Sequence, residues 1–353
     1  MVRRQDDHTV KLCRRRAMKA VVARSYGGPD VLAVEEIPVP RPGPGQIQVR
    51  ILATALNPAD LRTLSGVLRD LTPLEFPYVL GSDFAGVVTE VGSGVTRYAV
   101  GEQVFGVALP RATGQMATRL STPPSLTTGT MAEYAVFEAD TPAIARRPEK
   151  LDAEHAAALP IAGLTALALL GAEGYDPADR TTLVLGAAGG VGGAVVPLLA
   201  AAGAHVIATA IAEDERYVRE LGATEVIDYR AVDTVAETLR RHPDGVDTLI
   251  NLVLPGPALV QASRVLRPGG QLLNAAFPSP ELSAFGGADL TVETVYCAAR
   301  PGNLEQLARY ALDEVLPCTI SRRYPLARAP QAYSDLVDTH VRGKLVVTIP
   351  SIT

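Results

Sequence analysis

Residues 186–192 read GAAGGVG and stand between a strand-like run, Thr182–Leu185, and a helix-compatible run, Ala194–Ala202. A glycine-rich turn in that setting lets backbone N–H groups and the positive end of a helix approach a pyrophosphate, which side chains would block. The spacing G-x-x-G-G-x-G departs from the standard dinucleotide fingerprint, and glycines also end strands for steric reasons, so context must carry the reading. The turn opens the helix of a βα unit, and a second strand, HVIATA, follows at the expected distance. Most NAD sites close that strand with a carboxylate for the adenosine ribose hydroxyls; here it ends Thr209, Ala210, Ile211. Losing the carboxylate removes what would repel a 2′-phosphate, which favours NADPH over NADH. Arg216 in the next helix and Tyr229 after the third strand, EVIDY, offer that phosphate a cation and a hydroxyl. Arg216 reads equally as a solvated helix residue. Tyr229 falls at the carboxyl edge of the sheet, where ligands of such folds bind. Glu213, Asp214 and Glu215 work against an anion there.

Other chemistry is thinly supported. His8, His155, His205, His242 and His340 are scattered, outside any HxxH, HExxH or cysteine-rich spacing, so no zinc site is assembled locally and no metal is expected. Packing or surface positions account for His155 and His205. Ser82 and Ser121 lack the GxSxG elbow of a nucleophile. Asp60 offers an acid, although capping the short helix that follows is the favoured role.

The elements that must position the turn follow from length and texture. A chain of 353 residues exceeds one typical core. Its hydrophobic share of 47% and charged share of 20% describe a packed globular protein. Of 33 basic and 38 acidic residues, residues 1–17 hold six and two, so the remainder carries −9 against −5 overall. A body this acidic repels nucleic acid and anionic membranes, and neither is expected as a partner. The basic leader has no apolar centre and does not read as a secretion signal. The most apolar stretch, 153–172, is broken by Pro160, Gly163, Glu154 and His155 and reads as buried helices. Three widely spaced cysteines, Cys13, Cys297 and Cys318, fit a reduced, cytoplasmic protein.

The first third is a series of short strands, as in a β-rich, barrel-like module. From Leu151 strands and helices alternate, which implies a parallel sheet with helices on both faces. After about Pro278 the chain returns to strands and one helix, NLEQLARYALDEV, and closes on GKLVVTIP. The parallel-sheet domain is therefore read as inserted into the β-rich one, with residues 1–17 an extension, 18–150 the first part, 151–282 the insertion and 283–353 the return. Pro197, six residues into the helix after the glycine turn, predicts a kink or a late start. Residues 110–130, with Arg111, Gln115 and Arg119, read as a loop that closes over substrate or as a solvated insertion.

The segments YGGPDVLAVEEIPVPRPGPGQIQVRILATALNPADL, FPYVLGSDFAGVVTEVGSGV, GTMAEYAV, ALPIAGLTALALL and GAAGGVG, in this order, resemble the zinc-independent quinone oxidoreductase branch of the medium-chain dehydrogenase/reductase superfamily. The resemblance runs from Met18 to about Ile349. It implies an α/β fold in which a GroES-like catalytic domain holds an inserted Rossmann-type doubly wound parallel sheet, with NADPH in the cleft between them. Zinc-dependent relatives carry a cysteine where this chain has Asn57, and Gly-His-Glu where it has Gly81, Ser82 and Asp83. Without a Lewis acid, alcohol oxidation loses its main support.

The implied activity is hydride transfer to the activated C=C bond of an enone, quinone or enoyl thioester, with donors for the enolate and a proton for its α-carbon. By the same resemblance Asn57 lies near the nicotinamide and Thr165 contacts the cofactor. Gly186 opens the turn whose Ala188, Gly189, Gly190 and Val191 meet the diphosphate, Tyr229 meets the 2′-phosphate, and Ala276, Phe277 and Lys344 border the nicotinamide. Many relatives place a tyrosine near substrate where Leu68 stands, and the usual 2′-phosphate lysine is missing. The competing reading is a nucleotide-binding sensor or structural protein with little turnover. The segment DLTVETVYC offers an edge strand through which a homodimer would pair.

Overall fold

The computed structural model describes residues 16–70, 73–108, 127–287 and 289–350. Most of the 110–130 loop, including Arg111, Gln115 and Arg119, and nearly all of the basic leader lie outside these residues.

Six strands form a parallel sheet in the order 225–228, 205–210, 181–185, 246–251, 266–274, 290–294. The runs Leu183–Val184, Val206–Ile207 and Leu249–Ile250 are fully buried, as a sheet covered on both faces requires. Strand order reverses on either side of Thr181–Leu185, which makes the carboxyl end of that strand the crevice where ligands of doubly wound sheets lie. The glycine turn follows at that point. The helix after it runs Gly192–Ala201 and contains Pro197.

The β-rich module surrounds the long strand Gln46–Ala55. This strand pairs on one side with Asp83–Val91. On the other it pairs first with Tyr134–Glu138 and then with Lys344–Thr348, near the end of the described chain. Gln103–Val107 and Ile144–Arg146 extend the sheet at one edge and Ile320–Pro325 at the other. All six parallel strands lie in sequence between Arg146 and Ile320, so the insertion expected from the sequence is the observed architecture. Two short helices, Ala153–Ala158 and Pro160–Leu170, bridge the modules: the first packs on strands Gln46–Ala55 and Asp83–Val91, the second on helix Gly192–Ala201. The first is capped by Asp152, whose Oδ1 accepts from His155 N at 2.9 Å.

The boundary expected at 282 lies too early. Leu290–Thr294 pairs in parallel with Leu266–Asn274, and helix Asn303–Leu312 packs Leu307 against Gly163 of the bridging helix. The return to the β-rich module begins at Ile320, and a second helix, Ala329–Asp338, follows. The misreading has a physical cause. LTVET is a partly exposed edge strand, so it shows the alternating pattern of an antiparallel sheet rather than the continuous apolar run of a buried parallel strand. No helix among the described residues is long and apolar enough to cross a membrane.

Candidate active site

A cleft of about 310 Å³ separates the two modules. One wall is the turn, from Gly186 through Gly192, together with Thr209–Ile211, Leu252 and Tyr229; the facing wall is Leu56–Pro58, Thr339–Val341 and Gly343–Leu345. Gly186 has φ +87°, a left-handed conformation that other residues adopt at a cost. Thr209 holds the turn in place, since its hydroxyl accepts from Gly186 N and donates to Val184 O, both at 3.2 Å. The facing wall approaches closely: Gly343 N donates to Ala188 O at 2.8 Å, and a Cβ on Gly190 would stand 2.8 Å from Lys344 Cδ.

The cleft floor is a closed polar network. Lys344, 4% exposed, donates from Nζ to Asn57 Oδ1 at 2.7 Å, Leu56 O at 3.2 Å and Asp83 Oδ2 at 3.2 Å. Its contact with Asn57 Oδ1 fixes the amide so that Nδ2 donates to Asp83 Oδ2 at 2.9 Å. The other Asp83 oxygen accepts from Ile161 N at 2.9 Å, at the start of the bridging helix. Burial pushes the Asp83 carboxyl up from its ordinary value, opposed by the Lys344 ammonium, the Asn57 amide and the Ile161 N–H. One fully buried carboxylate thus joins the floor to the inserted domain.

The structure brings Asn57, Lys344, Gly186, Ala188, Gly189, Gly190, Val191, Thr209 and Tyr229 to this cleft. Tyr229 is 48% exposed at its rim. Five expected residues are placed otherwise. Asp60 is buried beside the floor and committed to structure. It accepts from Asn57 N at 3.0 Å as a cap, from Ser82 Oγ at 2.6 Å and from Tyr333 Oη at 3.2 Å. Burial and the neighbouring Asp60 push the Tyr333 phenol well above its ordinary value, so it keeps the proton it donates. Thr165 returns its hydroxyl to Ile161 O at 2.7 Å, and its helix presents Ala162 to the cleft instead. Arg216 is 91% exposed and pairs with Glu220 at 2.7 Å, outside the cleft lining. Ala276 and Phe277 lie beyond that lining, where Ala276 is held through the Asn274 amide.

Three residues to which the sequence assigned no role at the cleft stand in its wall or beside it. Asp83 anchors the floor, and His340 lines the facing wall while its Nε2 meets Asp214 Oδ2. Arg342 stands over the Tyr217 ring, 5.1 Å from its centroid. Residues 339–343, the run THVRG just before the last strand, form a strap along this wall, and its His340 and Arg342 had no partners assigned from the sequence.

A GroES-like module carrying an inserted parallel-sheet domain, with a glycine turn facing the cleft, is the architecture of the medium-chain dehydrogenases/reductases. Residues 43–148 match the family described as alcohol dehydrogenase GroES-like domain, and residues 221–347 match the zinc-binding dehydrogenase family. The chain is 32% identical over 344 residues to the chloroplast envelope quinone oxidoreductase homolog of Arabidopsis thaliana, covering 94% of this chain and 98% of that protein. It is 31% identical over 336 residues to the chloroplastic NADPH-dependent alkenal/one oxidoreductase of the same plant, at 94% and 79% coverage. Among solved structures, the quinone oxidoreductase from Coxiella burnetii superposes with a TM-score of 0.82 at 28% identity, over 95% of this chain and 100% of that one. The chain belongs to the medium-chain dehydrogenase/reductase superfamily. Within it, the protein is an oxidoreductase of the quinone oxidoreductase-like group.

Proposed function

We propose that the protein is an NADPH-dependent reductase that delivers hydride to the activated C=C bond of an enone, quinone or enoyl thioester, without zinc. The observation that carries this reading is the juxtaposition, across one cleft, of the glycine turn and the Asn57–Lys344–Asp83 floor. The turn at the start of helix Gly192–Ala201 suits a diphosphate. The absence of a carboxylate at Thr209–Ile211 and the Tyr229 hydroxyl at the rim suit a 2′-phosphate. The nicotinamide, when bound, supplies the hydride. The names of the plant relatives, one a quinone oxidoreductase homolog and one an NADPH-dependent alkenal/one oxidoreductase, support the substrate class.

The floor does not fit a zinc ion. Lys344 Nζ occupies the space between Asn57 Oδ1 and Asp83 Oδ2 where a cation's ligands would converge, and the Asp83 carboxylate is spent on three donors. The three Lys344 contacts use all three ammonium protons. Lys344 and Asp83 therefore orient Asn57 and hold the floor rigid, and the α-carbon takes its proton from water entering the cleft. The outer edge of strand Leu290–Thr294 ends the parallel sheet and is the surface through which two copies pair in the proposed homodimer.

Fluorescence titration with NADPH and NADH, followed by a panel of quinones and enones, tests the reading. Tight NADPH binding with oxidation by a panel member is expected. Binding without oxidation by any acceptor, or preference for NADH, overturns it. A single monomeric mass at all micromolar concentrations removes the dimer.

A further inference from the structure

At the amino end of the parallel sheet, two of the chain's five histidines converge on one carboxylate. His205 opens the strand His205–Ala210, Glu225 opens Glu225–Asp228, and His242 ends the helix Thr234–Arg241. His205 Nε2 is 2.7 Å and His242 Nε2 2.9 Å from the same atom, Glu225 Oε1. Donor atoms of all three residues lie within 4.8 Å of one another, and each side chain is partly open to solvent. We infer that His205, Glu225 and His242 form a binding site for a divalent transition-metal ion of the zinc class, with water completing its coordination.

The chemistry of the donor set points to such an ion. Two imidazoles and a carboxylate are borderline ligands that suit Zn²⁺, Co²⁺, Ni²⁺ or Cu²⁺ better than Mg²⁺ or Ca²⁺. Metal–ligand bonds of about 2.0–2.2 Å in a tetrahedron set neighbouring donors roughly 3.3–3.5 Å apart. The ion therefore enters if the present contacts spread by about half an ångström, which rotation of partly exposed side chains allows. The surroundings already resemble an outer shell: Glu225 Oε2 accepts from Arg241 Nη1 at 3.3 Å, which orients the carboxylate with Oε1 facing the histidines. Arg241 shares the Glu237 carboxylate with Arg240, its Nε donating to Glu237 Oε1 at 2.7 Å, so the cation nearest the site is paired.

The site lies at the opposite edge of the sheet from the cleft. Strand His205–Ala210 separates the two edges by roughly 17 Å at about 3.3 Å per residue. A bound ion touches neither substrate nor nucleotide; it cross-links two strands and the helix packed beside them. It is also distinct from any metal at Asn57, and the inference does not depend on the proposed reductase activity.

The test uses the full chain stripped with a chelator and titrated with Co²⁺ and Zn²⁺. One ion per chain is expected, with a visible Co²⁺ ligand-field band that Zn²⁺ abolishes and a melting temperature that rises with Zn²⁺. His205→Gln and His242→Gln should each weaken binding by roughly tenfold or more and leave NADPH titration unchanged. No saturable binding, or the same stoichiometry and Co²⁺ spectrum in the double variant, overturns the inference. His242 sits at a helix end, so its single variant keeps the test decisive if the strand variant fails to fold.

Discussion

His340 Nε2 stands 2.5 Å from Asp214 Oδ2, a contact that ties the returning segment of the catalytic module to the loop after the second strand of the inserted domain. The Asp214 side chain is 5% exposed, so the carboxylate that the sequence set against a 2′-phosphate is spent on an imidazole. Glu215, next to it, is paired with Arg219. His340→Ala strips the partner from a buried acid and should cost about 1–3 kcal/mol of stability. It should also raise KM for NADPH several-fold more than KM for NADH, because the Asp214 carboxylate loses the partner that holds it and is free to turn toward the cleft. Paired cofactor kinetics and a denaturant melt check both outcomes; an unchanged KM ratio removes the role in cofactor choice.

Lys344→Met should be the most damaging change to the floor. It leaves Asp83 buried without its cation, a loss of roughly 3–5 kcal/mol by precedent for broken buried pairs. Pairing it with Asp83→Asn removes the stranded charge, so the double variant should recover much of the stability and none of the turnover. Equal stability of the single and double variants would show that the two side chains are not coupled.

Gly190→Ala places a methyl against Lys344 Cδ and 3.3 Å from Gly343 O, in the gap between turn and strap. The fold should survive, since the Lys344 side chain can shift. NADPH affinity should fall by about tenfold, roughly 1.4 kcal/mol, because the new methyl crowds the diphosphate approach. Calorimetric titration of folded variant protein measures it, and wild-type affinity would remove the turn from the binding site.

Tyr229→Phe deletes one hydroxyl at an exposed rim position and should leave stability within about 0.5 kcal/mol. If that hydroxyl meets the 2′-phosphate, KM for NADPH rises a few-fold while KM for NADH stays fixed. A parallel change in both assigns Tyr229 to the adenosine instead.

Hydrogen bonds from Arg240 and then Arg241 hold the Glu237 carboxyl down to about 2 from an ordinary value of 4.5. The folded value lies below the unfolded one, so the pairing contributes fully above about pH 4.5 and is lost as pH falls through about 2. Glu237→Gln should therefore show a shallower decline in unfolding midpoint between about pH 5 and pH 3 than the wild type. Parallel curves would exclude the contribution.

The glycine turn, the strands on either side of it and the nested domain order were legible because each rests on local periodicity and turn chemistry. Residues joined across the fold were not. Lys344 and Asn57 are 287 positions apart, and their spacing carries no sign that an ammonium would fix an amide. Thr165 and Arg216 show the converse. Each occupies a plausible stretch of sequence, yet a helix carbonyl claims the first and a neighbouring glutamate the second. His205 and His242 belong to separate elements, a strand and a helix end, and the pairing of strands His205–Ala210 and Glu225–Asp228 together with the packing of that helix brings both to Glu225.

The strap at 339–343 and the strand Lys344–Thr348 also set a sequence of events during synthesis. Every partner they engage, from Gly190 and Asp214 to Asn57 and Thr54, leaves the ribosome earlier. The long strand Gln46–Ala55 waits with part of one edge uncovered, and the Asp83 carboxylate without its ammonium, until residues 344–348 have been translated. A nascent chain halted before residue 339 would hold a complete glycine turn and an unfinished floor. Competence for chemistry arrives with the strap and the strand that follows it, well after the inserted domain has its full set of strands.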